Sequence, residues 1–366
     1  MCFSNRKSAL RAAAMIIMIA SLAHPARAGS GAEGASFLDI PVGSIPASLG
    51  SAYTSRATDA YAPVWNPAGL AFLDAFKLSG THLAYLQGIH YEYLGFAVPW
   101  KRNGLGASVQ YLGSGDIQGA NEQGTLTGNF STTFAAYSLA YGHAFTEQWS
   151  IGLTGKAITE SIADTSARAY AGDVGTLYKL SDQVTLAGVV ANVGTAIKFV
   201  NESDPLPLAY RMGAFVQILP YLDVSAEAVY RKTGYLSGSA GLQGTYGSIL
   251  SLRVGLNSAH KDAMPVTSLL TAGIGLHLWG QEFSYAWVPY GDLGAAHYFS
   301  LDFRFGGSPE AQKVGLVKVD LDEIPGRTIE RPEAAADYQL LDQLLSTTEK
   351  KAIDKPNASP PPKESK

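Results

Sequence analysis

From Phe76 to Phe305 the chain alternates apolar and polar residues in short bursts. The final burst shows the pattern: Phe299, Leu301, Phe303 and Phe305 fall on one face, with Ser300, Asp302 and Arg304 on the other. Period-two alternation puts the two sets on opposite faces of a pleated strand. The joints between bursts alternate as well, short then long. A long series of this kind predicts an all-β fold, a transmembrane antiparallel β-barrel, because membrane barrels carry short turns at one end and longer loops at the other.

The spacing predicts fourteen strands, beginning near Phe76, Ile89, Gly104, Thr132, Trp149, Ala169, Gln183, Leu208, Leu222, Leu236, Ile249, Ser268, Glu282 and His297. Every second joint is tight, as at Lys101-Arg102-Asn103, Ser181-Asp182, Pro220-Tyr221 and Gly280-Gln281. Such pairs and triplets suit hairpins. Most joints between them are longer: Gly113 to Gly128, Ser161 to Arg168, Asn192 to Pro207, Asn257 to Val266 and Tyr290 to Ala296, with Gln87-Gly88 a short exception. An even count returns the chain to its starting side, so both ends of the barrel are expected in the periplasm. Trp100, Trp149 and Trp279 all fall at the tight-turn rim and are expected to form an interfacial girdle there.

Face assignment separates lipid from lumen. Trp149, Ile151, Leu153 and Ala157 point out, and Ser150, Thr154 and Lys156 point in. Leu222, Val224 and Ala226 oppose Asp223, Ser225 and Glu227 in the same way, as Leu250, Leu252, Val254 and Leu256 oppose Ser251 and Arg253. A basic residue facing the bilayer midplane costs about 2–4 kcal/mol, which fixes the phase. The expected lumen charges are Lys156, Arg211, Asp223, Glu227, Arg253, Asp302 and Arg304. Two readings stay open for them: ion pairs that anchor an internal plug, or a polar lining for a conduit. Wall side chains alone fill a barrel only up to about eight strands, so a wider one is plugged or wet.

The termini carry other signals. Arg6, Lys7 and Arg11, an apolar run from Ala12 to Ala23, and Ala26-Arg27-Ala28 read as a cleaved signal peptide over residues 1–28. The one cysteine, Cys2, lies inside it. Removing Arg6, Lys7, Arg11 and Arg27 leaves 23 basic against 31 acidic residues, a net charge of −8. That sign, without a basic stripe, disfavours a nucleic-acid partner. The 39 glycines, 19 tyrosines and 14 phenylalanines suit a sheet with an aromatic belt.

Residues 29–75 are not strand-like and read as a plug segment. Pro46 suits the first turn of a short helix, and in Trp65-Asn66-Pro67-Ala68-Gly69 the asparagine can cap a turn begun by Pro67. Residues 76–306 form the expected barrel. After it comes a periplasmic tail, 307–350, with an amphipathic helix at 332–348, then a Pro/Lys/Ser-rich disordered end at 351–366. The tail helix offers an apolar face to a periplasmic partner.

Phe37-Leu38-Asp39-Ile40-Pro41-Val42-Gly43, Ala47-Ser48-Leu49-Gly50 and Trp65-Asn66-Pro67-Ala68-Gly69-Leu70 together resemble the opening of PorV/PorQ-type proteins, within the wider FadL-like group of outer-membrane barrels. The resemblance implies a fourteen-stranded barrel in the outer membrane whose N-terminal segment enters the lumen, with Asn66-Pro67-Ala68 in a hatch. FadL-like members pass hydrophobic compounds, fatty acids or aromatics, and release them through a defect in the wall. Gly113 and Gly115 are the expected place for such a defect here, since glycine weakens a strand. PorV-like members instead serve a protein-secretion machine. Passive transport of a hydrophobic small molecule is therefore the first functional expectation, and a secretion scaffold in outer-membrane lipid the alternative.

Signs of chemistry are sparse. The mature histidines sit in no metal-binding spacing, and no esterase elbow or dinucleotide loop occurs. Ser138 and His143, five positions apart on one strand, face opposite ways. The expectation is a non-enzyme without cofactor or metal.

Overall fold

The computed structural model describes residues 33–306, apart from 122, 248 and 260–264. The expected signal peptide, the tail with its helix at 332–348 and the end at 351–366 lie outside the described residues, as do 29–32 and His260. The chain divides into a unit Met1–Leu316 and a unit Val317–Lys366, and every described residue belongs to the first.

Eighteen strands are described, and fourteen of them close an antiparallel barrel. In chain order the wall is β1 (Phe76–Ala84), β2 (His90–Trp100), β3 (Asn103–Gly113), β6 (Thr132–Ala144), β7 (Trp149–Ile162), β8 (Thr165–Ser181) and β9 (Val184–Gly194), then β12 (Ala209–Leu219), β13 (Leu222–Arg231), β14 (Leu236–Tyr246), β15 (Leu250–Asn257), β16 (Leu270–Leu278), β17 (Gln281–Pro289) and β18 (Ala295–Phe305). The last strand pairs with the first, from Phe76 opposite Phe305 to Ala84 opposite His297. Closure leaves no strand edge unpaired. The other four strands are two small hairpins in the long loops, β4 (Ile117–Ala120) with β5 (Leu126–Phe130) and β10 (Ile197–Phe199) with β11 (Glu202–Asp204).

The outer face is apolar around the ring. Leu94, Leu139, Leu153, Met212, Leu252 and Leu301 are among the large side chains exposed there. Their inward neighbours are buried and polar, such as Ser108, Ser138, Thr154, Ser225, Ser251 and Ser300. This is the pattern of a wall that meets lipid outside.

One joint differs from expectation. Ser161 to Arg168 is no loose loop: β7 and β8 run on, paired from Trp149–Tyr178 up to Ile162–Thr165, and reverse at Ala163-Asp164. Ala163 takes a left-handed conformation (φ 50°) to close the turn. Fourteen and seventeen residues long, these strands exceed the nine to eleven that a tilted strand needs to cross a bilayer. Their tips therefore stand clear of the wall.

The residues ahead of β1 pack against the inward side of that wall. Where they touch it, the wall is often glycine. A Cβ built on Gly152 would come 2.2 Å from the Pro67 carbonyl carbon, and one on Gly255 2.1 Å from Gly50 N. On Gly104, Gly142 and Gly241 it would come 2.0 Å from Leu70, 2.6 Å from Pro67 and 2.7 Å from Leu49. Backbone thus meets backbone, and a methyl group has no room.

Two outcomes test this architecture. Leu153→Arg, on the lipid side, is expected to destabilise the barrel by about 2–4 kcal/mol in urea titrations from phospholipid vesicles, and an unchanged midpoint would refute the outward assignment. Gly152→Val is expected to leave the barrel folded and heat-modifiable on gels while making residues 33–75 sensitive to added protease. Equal protection in both proteins would show that the contact does not hold the segment.

Candidate functional site

The inner segment is a chain of short turns held by side chains. After a 3-10 turn at Ser36–Asp39 come helix α1 (Ser44–Ser48), helix α2 (Ala62–Trp65) and a second 3-10 stretch, Pro67–Phe72. Asn66 separates the last two in an extended conformation and is fully buried. Its Oδ1 accepts from Ala68 N (3.1 Å), and its Nδ2 donates to Thr54 O (3.0 Å) and, on the wall, to Thr176 O (3.2 Å). No polar atom of the amide is left over. Trp65 Nε1 donates to Val42 O at 3.0 Å, which ties the two halves of the segment together. Ala68 accepts from Ser150 Oγ (2.9 Å), and Gly69 lies so close to Ala57 that a Cβ would sit 1.7 Å from its carbonyl oxygen.

All seven expected lumen charges face inward, and they divide into two sets. Four engage the inner segment. Asp223 pairs with Arg56, and Arg304 with Asp74 at 3.0 Å. Glu227 Oε2 accepts from the backbone N–H groups of Tyr53 (3.0 Å) and Thr54 (2.8 Å). The Arg211 guanidinium lies 5.1 Å from the centre of the Trp65 ring, a cation–π contact. Three act within the wall: Lys156 with Asp173 (2.7 Å), Arg253 with Glu282 (2.6 Å) and Gln243 (2.7 Å), and Asp302, which accepts from Ser79 Oγ (2.5 Å). The partners Arg56, Asp74, Asp173 and Glu282 were not read as inward charges from the sequence, although Asp173 and Glu282 sit in the inward phase of their strands. Asp39 pairs with Arg231 on β13. Within the segment, burial raises the Asp59 carboxyl above its ordinary range, against the pull of the Tyr53 hydroxyl, Lys77 and Arg56. Burial, with Asp59 beside it, holds the Tyr53 phenol protonated, so it donates to Asp59.

Gly113 and Gly115 do not mark a break in the wall. Gly113 is the last residue of β3, and its ladders to β2 and β6 run without a register shift from end to end. Gly115 lies beyond the strand, in left-handed coil (φ 67°). The wall ladders shift register at β12–β13, between Gln217 and Leu219, and at β8–β9, where Gly172 opposes Val193 but Val174 opposes Val190. Asn192, at φ 62°, takes up the extra length, and its N–H donates to Asp173 (2.8 Å). Trp100, Trp149 and Trp279 stand exposed at the tight-turn end, with Phe145 stacked on Trp149 at 4.9 Å.

The segment separates two cavities. The one toward the tight turns, about 610 Å³, is polar, with Asp59, Lys77, His277, Glu282 and Arg304 among its lining residues. The one toward the long loops, about 600 Å³, is lined by Phe37, Leu38, Trp65, Leu112 and Phe134 together with Asp39, Arg211, Glu227 and Arg231. An aromatic enclosure with a few polar groups suits a small organic molecule, and both volumes fall in the range for such ligands.

Comparison with known proteins places the fold. A model of an uncharacterised protein family, UPF0164, matches residues 12–173, less than half of the chain. No curated protein matches. Among solved structures, the CymD monoaromatic hydrocarbon channel is similar at 13% identity and a TM-score of 0.53, over 73% of this chain and 98% of that one. The Pseudomonas putida toluene transporter TodX aligns at 14% identity and a TM-score of 0.48, over 71% of this chain and 96% of its own. A Pseudomonas aeruginosa FadL homologue aligns at 10% and 0.46, over 71% and 97%. At such identities the likeness to CymD is one of fold: a closed, all-β barrel of fourteen strands.

Proposed function

We propose that this protein is an outer-membrane channel of the FadL-like kind that admits hydrophobic small molecules from outside, with residues 33–75 as its hatch. The carrying observation is the aromatic cavity on the long-loop side, whose lining includes Phe37, Val42 and Trp65 of the segment itself. A molecule held there rests on the element that blocks its way. The apolar belt of the wall supports a membrane location, and the description of CymD as a hydrocarbon channel supports the substrate class. The signal peptide expected at residues 1–28 agrees with export. The secretion-scaffold alternative draws on residues 307–350, which lie outside the described residues.

In this reading passage requires the segment to shift, because it is hydrogen-bonded around the ring. Ser44 alone reaches two strands: its N–H donates to Ser300 Oγ (3.0 Å), and its hydroxyl lies 2.5 Å from Ser284 Oγ. Cysteines at 44 and 284 come within disulfide reach, and the native chain has no other cysteine than Cys2. Reconstituted Ser44→Cys/Ser284→Cys protein is expected to pass a hydrophobic fluorophore when reduced and to lose most of that flux when oxidised. Equal flux in both states would sink the hatch, and no flux in wild-type vesicles would sink the channel.

A further inference from the structure

We infer that the long-loop cavity takes an uncharged hydrophobic molecule bearing one hydroxyl, an alcohol or phenol, whose head group sits between Arg211 and Glu227. This rests on the transport reading above and narrows its substrate class. Both residues are inward on adjacent strands, Arg211 opposite Val229 and Glu227 opposite Gly213, so they stand diagonally on one patch of wall. Both line the cavity.

Their hydrogen bonding is incomplete. Glu227 is 4% exposed; its Oε2 holds the Tyr53 and Thr54 N–H groups, and its Oε1 has no partner. Arg211 stacks on Trp65, and its Nε is buried without an acceptor. Among the unpartnered polar atoms of the cavity's lining residues, which also include Asp39 Oδ1 and Ser268 Oγ, these two stand on adjacent strands. A hydroxyl supplies both complements, donating to Glu227 and accepting from Arg211.

Charge balance separates this class from its neighbours. The cavity's two arginines, Arg211 and Arg231, are matched by Glu227 and Asp39, and Arg231 already pairs with Asp39. A ligand carboxylate would add a third anion to two cations beside the buried Glu227, where an unmatched charge is costly. A plain hydrocarbon brings no charge but leaves the donor and the acceptor unmet. Sites built to hydrogen-bond a hydroxyl reject the analogue that lacks it far better than apolar pockets reject a missing methylene.

The test uses three ligands of matched size, p-cresol, toluene and p-toluate, titrated at pH 7 by calorimetry into the full-length protein in nanodiscs. p-Cresol is expected to bind at least tenfold more tightly than either of the others. Arg211→Leu is expected to bring p-cresol down to toluene's affinity, and Glu227→Gln to raise p-toluate at least tenfold relative to p-cresol. The wild-type ranking decides the matter even where a variant fails to fold. A p-cresol margin under tenfold, or p-toluate as the tightest ligand, overturns the head-group inference while binding itself keeps the transport reading. If none of the three binds the wild type, both fall.

Discussion

A strand in lipid has no water to satisfy its N–H and C=O groups, so the ladder must close on itself. The pairing of β1 with β18 meets that demand, and the rest of this structure follows from it. Closure at fourteen strands sets a circumference, and the circumference leaves a lumen that wall side chains do not fill. The space is taken by residues of the same chain. Because those residues are short turns with few long side chains, they approach the wall closely, and glycine at positions such as Gly152 and Gly255 admits them.

Polar groups on the inward face then act in a confined setting. Buried charges persist when they are paired and hydrogen-bonded, and the ones here are distributed accordingly. Lys156 with Asp173 and Arg253 with Glu282 tie strand to strand, while Asp223, Glu227 and Arg304 hold the segment. Glu227 does so through the backbone N–H groups of Tyr53 and Thr54. That division ties strand to strand within the wall and attaches the inner segment to it through separate contacts.

The two cavities differ in character because the segment presents different residues to each. Phe37, Leu38, Val42 and Trp65 face the long-loop side, whereas Ile45 and Asp59 face the tight-turn side. The long-loop cavity thus presents aromatic surface and the tight-turn cavity charged side chains. The β8–β9 seam, with Asn192 in a left-handed conformation, is the larger departure from regular pairing in the upper wall. It lies well away from Gly113 and Gly115.

Strand number, inward phase and the side on which Trp100, Trp149 and Trp279 gather were legible in the sequence, because alternation is a local pattern and lipid forbids exceptions. The capping role of Asn66 before Pro67 was legible too, since both preferences act within one turn. The extent of the β7–β8 hairpin was not: at its tip residues 162–166 are exposed on both faces, so the stretch loses its alternation while keeping its pairing. Gly113 and Gly115 looked like a weak point because glycine lowers strand propensity, but an unbroken ladder is a property of three strands together. Sequence alone determined which residues of the wall face outward and which face inward. Tertiary structure decided which inward charges hold the segment, where glycine serves close contact, and that Arg211 and Glu227 share one cavity wall, because those depend on how strands far apart in the chain are aligned around a closed ring.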